Sequence, residues 1–285
     1  APEAGGREGV AWGRGCRAGL VRPSAHGVGI DAEPVTMVAA KIEQAERTGR
    51  ADLGCGEGLE RRGLAGGDRC HRLIDAREPA LESEAATVLA LRLAAAIDRS
   101  EDAAHPAREH EAALRRVLTP IAKFWVCKRG SHFGQEAMEC LGGNGYVEED
   151  GEGVMARIYR EMPLNSIWEG AANIMALDLL RALRSPEAAP ALARELGAAR
   201  GLHPAYDRLA AALPARIDAA IDEAAARTLA RDVALLMQAA LLARVSPPAV
   251  AEAWCRARLA AASDVFGTLP VDLPFDALIE RACGD

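Results

Sequence analysis

Beyond Ser166 the apolar residues Trp168, Ala172, Met175, Leu179 and Leu183 recur at intervals of three and four. That spacing marks one stripe along a helix, whereas a half-buried strand alternates every second residue. The stripe belongs to RIYREMPLNSIWEGAANIMALDLLRALR, residues 157–184, where Pro163 stops a polar lead-in and Ser166 opens a new helix. One face of that helix is expected to be buried.

Glu169 falls in the first turn of this expected helix, beside Trp168 and ahead of Gly170, Ala171 and Ala172. The small residues leave room above the carboxylate for something flat. Glu169 and Asn173, four apart, would share a face as an acid–base group and a hydrogen-bond partner. Ser166-Ile-Trp-Glu169 also has the form of a capping box, in which the two polar residues satisfy each other's backbone donors. Spacing alone favours the cap.

Half of the chain is hydrophobic yet only 4% is aromatic. An Ala- and Leu-rich core favours helix, since sheets draw on β-branched and aromatic side chains, and the fold class expected is all-α. At 285 residues the chain can bury a sizeable core. Its 41 Asp+Glu outweigh 34 Lys+Arg, which argues against nucleic-acid binding by the chain as a whole. The seven Cys include no C-x-x-C pair and no regular spacing to His, so neither a disulfide framework nor a zinc site is suggested, and a reducing cytoplasm fits. The longest apolar run, 233–243, is interrupted by Gln238 and too short to span a bilayer, so no membrane association is expected. With Ala1 and no methionine at its start, the chain is expected to be a fragment.

Three blocks are expected. Residues 1–78 hold more than half of the 27 Gly and show no sustained period, apart from a possible short helix at 36–47; they read as irregular or disordered, or as frame-shifted. Residues 79–185 open with a helix over 80–99 whose core is Leu81, Ala85, Val88, Leu89, Leu91, Leu93 and Ile97. A second helix covers 107–141, kinked or broken near Val117 by Pro120. His105 and His110 read as solvated, as does the small basic cluster Lys123, Lys128 and Arg129. Gly142-Gly143-Asn144-Gly145 reads as a glycine stop, and Glu148, Glu149, Asp150 and Glu152 as an exposed loop. Residues 186–285 are expected to add helices ending before Gly201, over 207–213 up to Pro214, from there to Arg244, over 250–266 after Pro247-Pro248, and over 274–282. The Arg residues of this block are outnumbered by its carboxylates.

Taken together, AMECLGGNGYVEE, RIYREMPLNSIWEGAANIM and LDLLRAL resemble the C-terminal helical domain of the acyl-CoA dehydrogenase family, closest to its bacterial alkylation-response, AidB-like branch. The resemblance runs over 79–184, and 186–285 is similar in length and position to that branch's extra helical domain. It implies a helical-bundle domain that, in a whole protein, follows an N-terminal helical domain and a middle β domain, with FAD in the cleft between them. It also implies a homo-tetramer in which the glycine loop, here Gly142, Gly143 and Gly145, faces the neighbour's cofactor. Arg160 and Glu161 stand for the family's Arg-Asp pair.

By the same resemblance, Glu169 matches the base of the family's Tyr-Glu-Gly-Thr motif, with Trp168 for Tyr and Ala171 for Thr. Ile167, Trp168, Gly170, Ala171, Asn173 and Met175 would line the flavin. Glu139 and Met175 stand where many members carry Gln, and Ala171 lacks the Thr hydroxyl. The implied reaction is α,β-dehydrogenation of an acyl-CoA thioester, and with the resemblance included the base role of Glu169 overtakes the cap. The alternatives are a protective flavoprotein that binds double-stranded DNA, which the branch implies, and an inactive helical fragment.

Overall fold

Leu81, Ala85, Leu89, Leu93 and Ala96 form an unbroken stripe at three- and four-residue spacing, and all five are buried along α1 (Arg77–Glu101). Leu91, expected in the core, is exposed instead. It sits two residues from both Leu89 and Leu93, so helical geometry turns it to the opposite side. The computed structural model describes residues 77–148, 154–219, 223–260, 265, 266 and 268–283. The expected helix at 36–47 and the irregular stretch before residue 77 lie outside the described residues, as do Glu149, Asp150 and Glu152.

The next element, α2 (Arg108–Glu139), is the central one. Every residue from Val117 to Cys127 is buried, because α1, α4 (Val154–Asn165), α5 (Ala172–Leu183) and α8 (Ala226–Val245) pack around it. Between α2 and α4 lies α3 (Gly143–Tyr146), a single turn. Of the kink or break expected at Pro120, the break does not occur, and α2 continues through it. An interior proline costs about 3 kcal/mol, and packing on all sides of this stretch outweighs it. The Thr119 hydroxyl also donates to the Arg115 carbonyl at 2.9 Å.

Beyond α5 the chain forms α6 (Ala188–Gly197), α7 (Pro204–Ala219), a 3-10 turn (Glu223–Ala225), α8, α9 (Pro248–Trp254), a π-helical turn (Cys255–Ala260) and α10 (Phe275–Cys283). Pro214 lies inside α7 rather than ending it. The run from Asp232 to Leu242 is wholly buried, which makes α8 a second central helix against α1, α2 and α5. One hydrophobic cluster extends from Leu81 to Leu278 across these helices. Among the described residues there is no strand, and no helix is long and apolar enough to cross a membrane.

Buried ion pairs join the elements at two places. Arg92 of α1 holds Glu111 of α2 at 2.8 Å and Glu195 of α6 at 2.9 Å, with Arg99 and Arg244 closing the cluster from outside. His110, expected in solvent, is half-buried with its Nε2 3.6 Å from Glu195. Arg258 of the π-helical turn pairs with Glu78 and Glu82 of α1, and Arg129 of α2 holds Glu82 at 3.0 Å. Arg129 is therefore not part of a solvated basic face. Its guanidinium also lies 4.4 Å from the Phe266 ring centre.

Burial opposes the charges on Glu82, Glu111 and Glu195, but their arginine partners outweigh it and hold all three carboxyls below the ordinary value of 4.5. A depressed folded-state value contributes stability that is complete above the unfolded value and lost as pH falls through the folded one. Melting temperature is therefore expected to hold down to about pH 5 and fall progressively below it. Circular dichroism melts from pH 7 to pH 3 check this, and a Glu111→Gln/Glu195→Gln variant should show a shallower acid slope. An unchanged slope would remove these carboxylates from the explanation.

Candidate functional site

The turn between α4 and α5 departs most from the sequence expectation. The new helix starts at Ala172, not at Ser166. Instead α4 runs through Pro163 to Asn165, and its end is prolonged by amides of Ser166, Ile167 and Trp168 that donate to the carbonyls of Pro163 and Leu164. The Ser166 hydroxyl donates to the Pro163 carbonyl at 2.9 Å, so it does not cap the following helix. Nor can Glu169 complete a capping box, because its φ is +54° and a residue in the first turn of a helix needs a negative one. Its relation to Asn173 comes from the turn, not from a shared helical face.

A left-handed conformation at a non-glycine residue costs about 1 kcal/mol or more and persists only where the surroundings enforce it. Here they do. Lys123, in the middle of α2, is only 2% exposed, and its ammonium donates to the Asn165 carbonyl and, at 2.9 Å, to the Trp168 carbonyl. It was expected on a solvated face beside Lys128, which alone of the three basic residues is exposed. After Glu169, Gly170 continues the reversal at φ +116°, where any Cβ would collide with the Met175 side chain. Ala171 is extended, and α5 begins.

The outcome is an exposed edge with a mixed character. Leu164, Ile167, Trp168 and Ile174 are between 40% and 63% exposed, and Glu169, Ala171 and Asn173 are exposed among them. No side chain caps the N-terminus of α5, so its first amides point toward this edge's open end. Met175, by contrast, is buried and reaches Gly170 from the core side. Trp168 was expected on the buried stripe; because the helix starts after it, it lies outside that stripe. Asp178, one turn further along α5, receives a bidentate pair from Arg116 of α2 at 2.7 Å, which fixes the helix behind the turn.

Burial pushes the Cys127 thiol up to about 11, with the Lys123 charge opposing the rise and the Glu169 charge adding to it. One thiol thus lies within electrostatic reach of both the buried ammonium and the exposed carboxylate. Sequence reasoning gave Lys123 a solvated face and no role at the site. The available signal was that one of only three Lys in an Arg-rich chain stands between apolar neighbours, in TPIAKFWVC.

The glycine loop is not brought to this edge within one chain. Gly142 is left-handed at φ +61° after α2 ends, and Gly145 is buried where a Cβ would run into the Met138 carbonyl. Gly142 and Gly143 are exposed. α4 runs antiparallel to α2, with Asn165 at Lys123 and Tyr159 and Met162 at Gly134. The glycine turn therefore lies at the far end of that pair, sixteen residues or about 24 Å of helix from Lys123. Arg160 pairs with Glu148 on the surface there.

An apolar trench of about 780 Å³ also lies between α6 and α7, walled by residues such as Leu196, Leu213 and Ile217. Its lining also includes the charged Arg200, Asp207 and Asp218. Among the described residues no cluster of His, Cys, Asp or Glu is placed to hold a metal ion. The arginines of the last block are largely tied up: Arg216 and Arg231 with Asp232, Arg244 with Glu195, Arg256 with Asp272 and Arg281 with Glu84.

Residues 71–184 match the family model described as acyl-CoA dehydrogenase, C-terminal domain. The chain is 41% identical over 181 residues to the putative acyl-CoA dehydrogenase AidB of Escherichia coli strain K12, covering 63% of this chain and 32% of that protein. It is 35% identical over 77 residues to acyl-CoA dehydrogenase family member 11 of Caenorhabditis elegans, covering 27% of this chain and 12% of that one. Its fold is similar to the crystal structure of Caenorhabditis elegans ACDH-11 in complex with C11-CoA, with a TM-score of 0.60 at 20% identity over 79% of this chain and 42% of that chain. The chain thus spans about a third of the length of the first of these curated relatives and less of the second.

Proposed function

We propose, from the match of residues 71–184 to the C-terminal domain of the acyl-CoA dehydrogenase family, that this chain carries the base and part of the flavin-facing edge of an FAD-dependent oxidoreductase acting on acyl-CoA thioesters. The observation that supports this most is Glu169. An exposed carboxylate is held on a left-handed turn by a buried lysine, at the mouth of an uncapped helix and among exposed apolar side chains. Surface turns made only for folding have no use for that combination.

The residues fit a flat ring with polar edges. Trp168, Ile167 and Ile174 offer apolar contact, and the free amides at the start of α5 offer donors to a carbonyl or partly negative edge. Ala171 brings no hydroxyl, so backbone groups would replace that contact. Bound FAD would supply the hydride acceptor for the β-carbon. The Glu169 carboxylate takes the α-proton, the electrons of that C–H bond form the new C=C bond, and hydride leaves the β-carbon. Leu164, Ile167 and Trp168 would keep water from the reacting atoms. The acyl-CoA assignment draws on the ACDH-11 structure, which holds C11-CoA. The homo-tetramer, with the glycine turn of one chain at the neighbour's cofactor, belongs to the same proposal, because that turn cannot serve the Glu169 edge of its own chain. A DNA-binding role gains no support, since most arginines of the last block face carboxylates.

Titrating the full chain with FAD and following flavin fluorescence tests the cofactor assignment. Saturable quenching is expected, and reduction of the bound flavin on adding an acyl-CoA should follow. A protein that folds but shows no saturable change at millimolar FAD would leave the inactive helical fragment as the better reading.

A further inference from the structure

We propose that Lys123 is a positioning residue for Glu169, resting on the assignment of Glu169 as the base. The carbonyl that Lys123 holds at 2.9 Å belongs to Trp168, and the nitrogen of that same peptide is Glu169's own. Holding the carbonyl fixes the peptide plane from which the Glu169 side chain departs. With the second bond to the Asn165 carbonyl, one ammonium spans the end of α4 and the crest of the turn. That leaves Glu169 in its left-handed conformation, with its side chain directed outward into solvent.

The chemistry of the lysine is unlike that of the other buried cations. Arg92 and Arg258 each face two carboxylates, and Arg129 holds Glu82. Among the described residues no carboxylate forms an ion pair with Lys123; its partners are carbonyl oxygens. An ammonium removed from water and satisfied by carbonyls is costly for stability alone. A neutral side chain of similar length would fill the same space in an apolar stretch. What only the ammonium can do is grip two carbonyls 42 and 45 residues away, and the second of them orients Glu169. Asn165 supports the arrangement from the other side, being buried at the end of α4 with its carbonyl turned toward Lys123.

The test uses the full chain loaded with FAD, an acyl-CoA substrate and a dye acceptor, with kcat expressed per bound FAD so that partial misfolding does not count. Lys123→Met is expected to keep KM within threefold and to lose kcat by about a hundredfold, as loss of reacting geometry does. Lys128→Met, on the exposed side of the same helix, should match the wild type. If Lys123→Met fails to fold, Lys123→Gln, which is neutral but can still donate to one carbonyl, replaces it. A folded variant with wild-type kcat per FAD overturns the inference, as does failure of both variants to fold, which would make the lysine structural. No turnover in the wild type would instead remove the assignment of Glu169 on which the inference rests.

Discussion

Replacing Glu169 by Gln is expected to lower turnover of acyl-CoA about a thousandfold while leaving FAD affinity and melting temperature nearly unchanged. The magnitude follows from the general contribution of a positioned acid–base group, about 10² to 10⁴ in rate. The lack of a stability cost follows from the structure, because the side chain is exposed. A companion variant separates backbone from side chain. Glu169→Gly removes the base but suits the left-handed φ of +54°, so it should be as inactive as Glu169→Gln and more stable by about 1 kcal/mol. A position where the inactivating change stabilises the fold is one where conformation has been given up for function. Wild-type turnover in Glu169→Gln would move the base elsewhere.

Breaking the buried pair that ties the π-helical turn to α1 should have the largest effect on stability. Arg258→Met would leave Glu78 and Glu82, both almost wholly buried, without the guanidinium that faces them, while Arg129 still holds Glu82 from the second side. Removing one partner of a buried pair costs about 3–5 kcal/mol. In a chain of this size that corresponds to a fall in melting temperature of about 10 °C. Neutralising the stranded carboxyls in Arg258→Met/Glu78→Gln/Glu82→Gln should recover most of the loss. A single variant within 0.5 kcal/mol of wild type, on the order of a surface change, would show that Arg258 does not tie the π-helical turn to α1. The result also bears on the site: α2 carries both Arg129 and Lys123, so the ion cluster and the Glu169 turn hang from the same helix.

The helices themselves were legible because their signal is local. Leu81, Leu89 and Leu93, or Ala172, Met175 and Leu179, announce a buried face through spacing alone, and Pro248 and Gly142 mark ends through their own backbone preferences. Motif resemblance likewise pointed to the family that residues 71–184 match. The same local logic misplaced the start of α5, because Ser166-Ile-Trp-Glu169 has the form of a capping box whether or not Ser166 is free to cap. Its hydroxyl was already committed to Pro163.

From sequence alone, then, the chain is helical, its buried faces lie where three- and four-residue spacing puts them, and its residues carry the marks of an acyl-CoA dehydrogenase C-terminal domain. Only the tertiary structure decided that Lys123 is interior, that Glu169 is left-handed and exposed, and that the glycine turn stands far from it. The reason is physical. Periodicity reports which side of a helix avoids water, but α2 is enclosed on all sides from Val117 to Cys127, so burial there has no period. The contact that shapes the site joins an ammonium to carbonyls more than forty residues away, and only the packing of α2 against α4 brings them together.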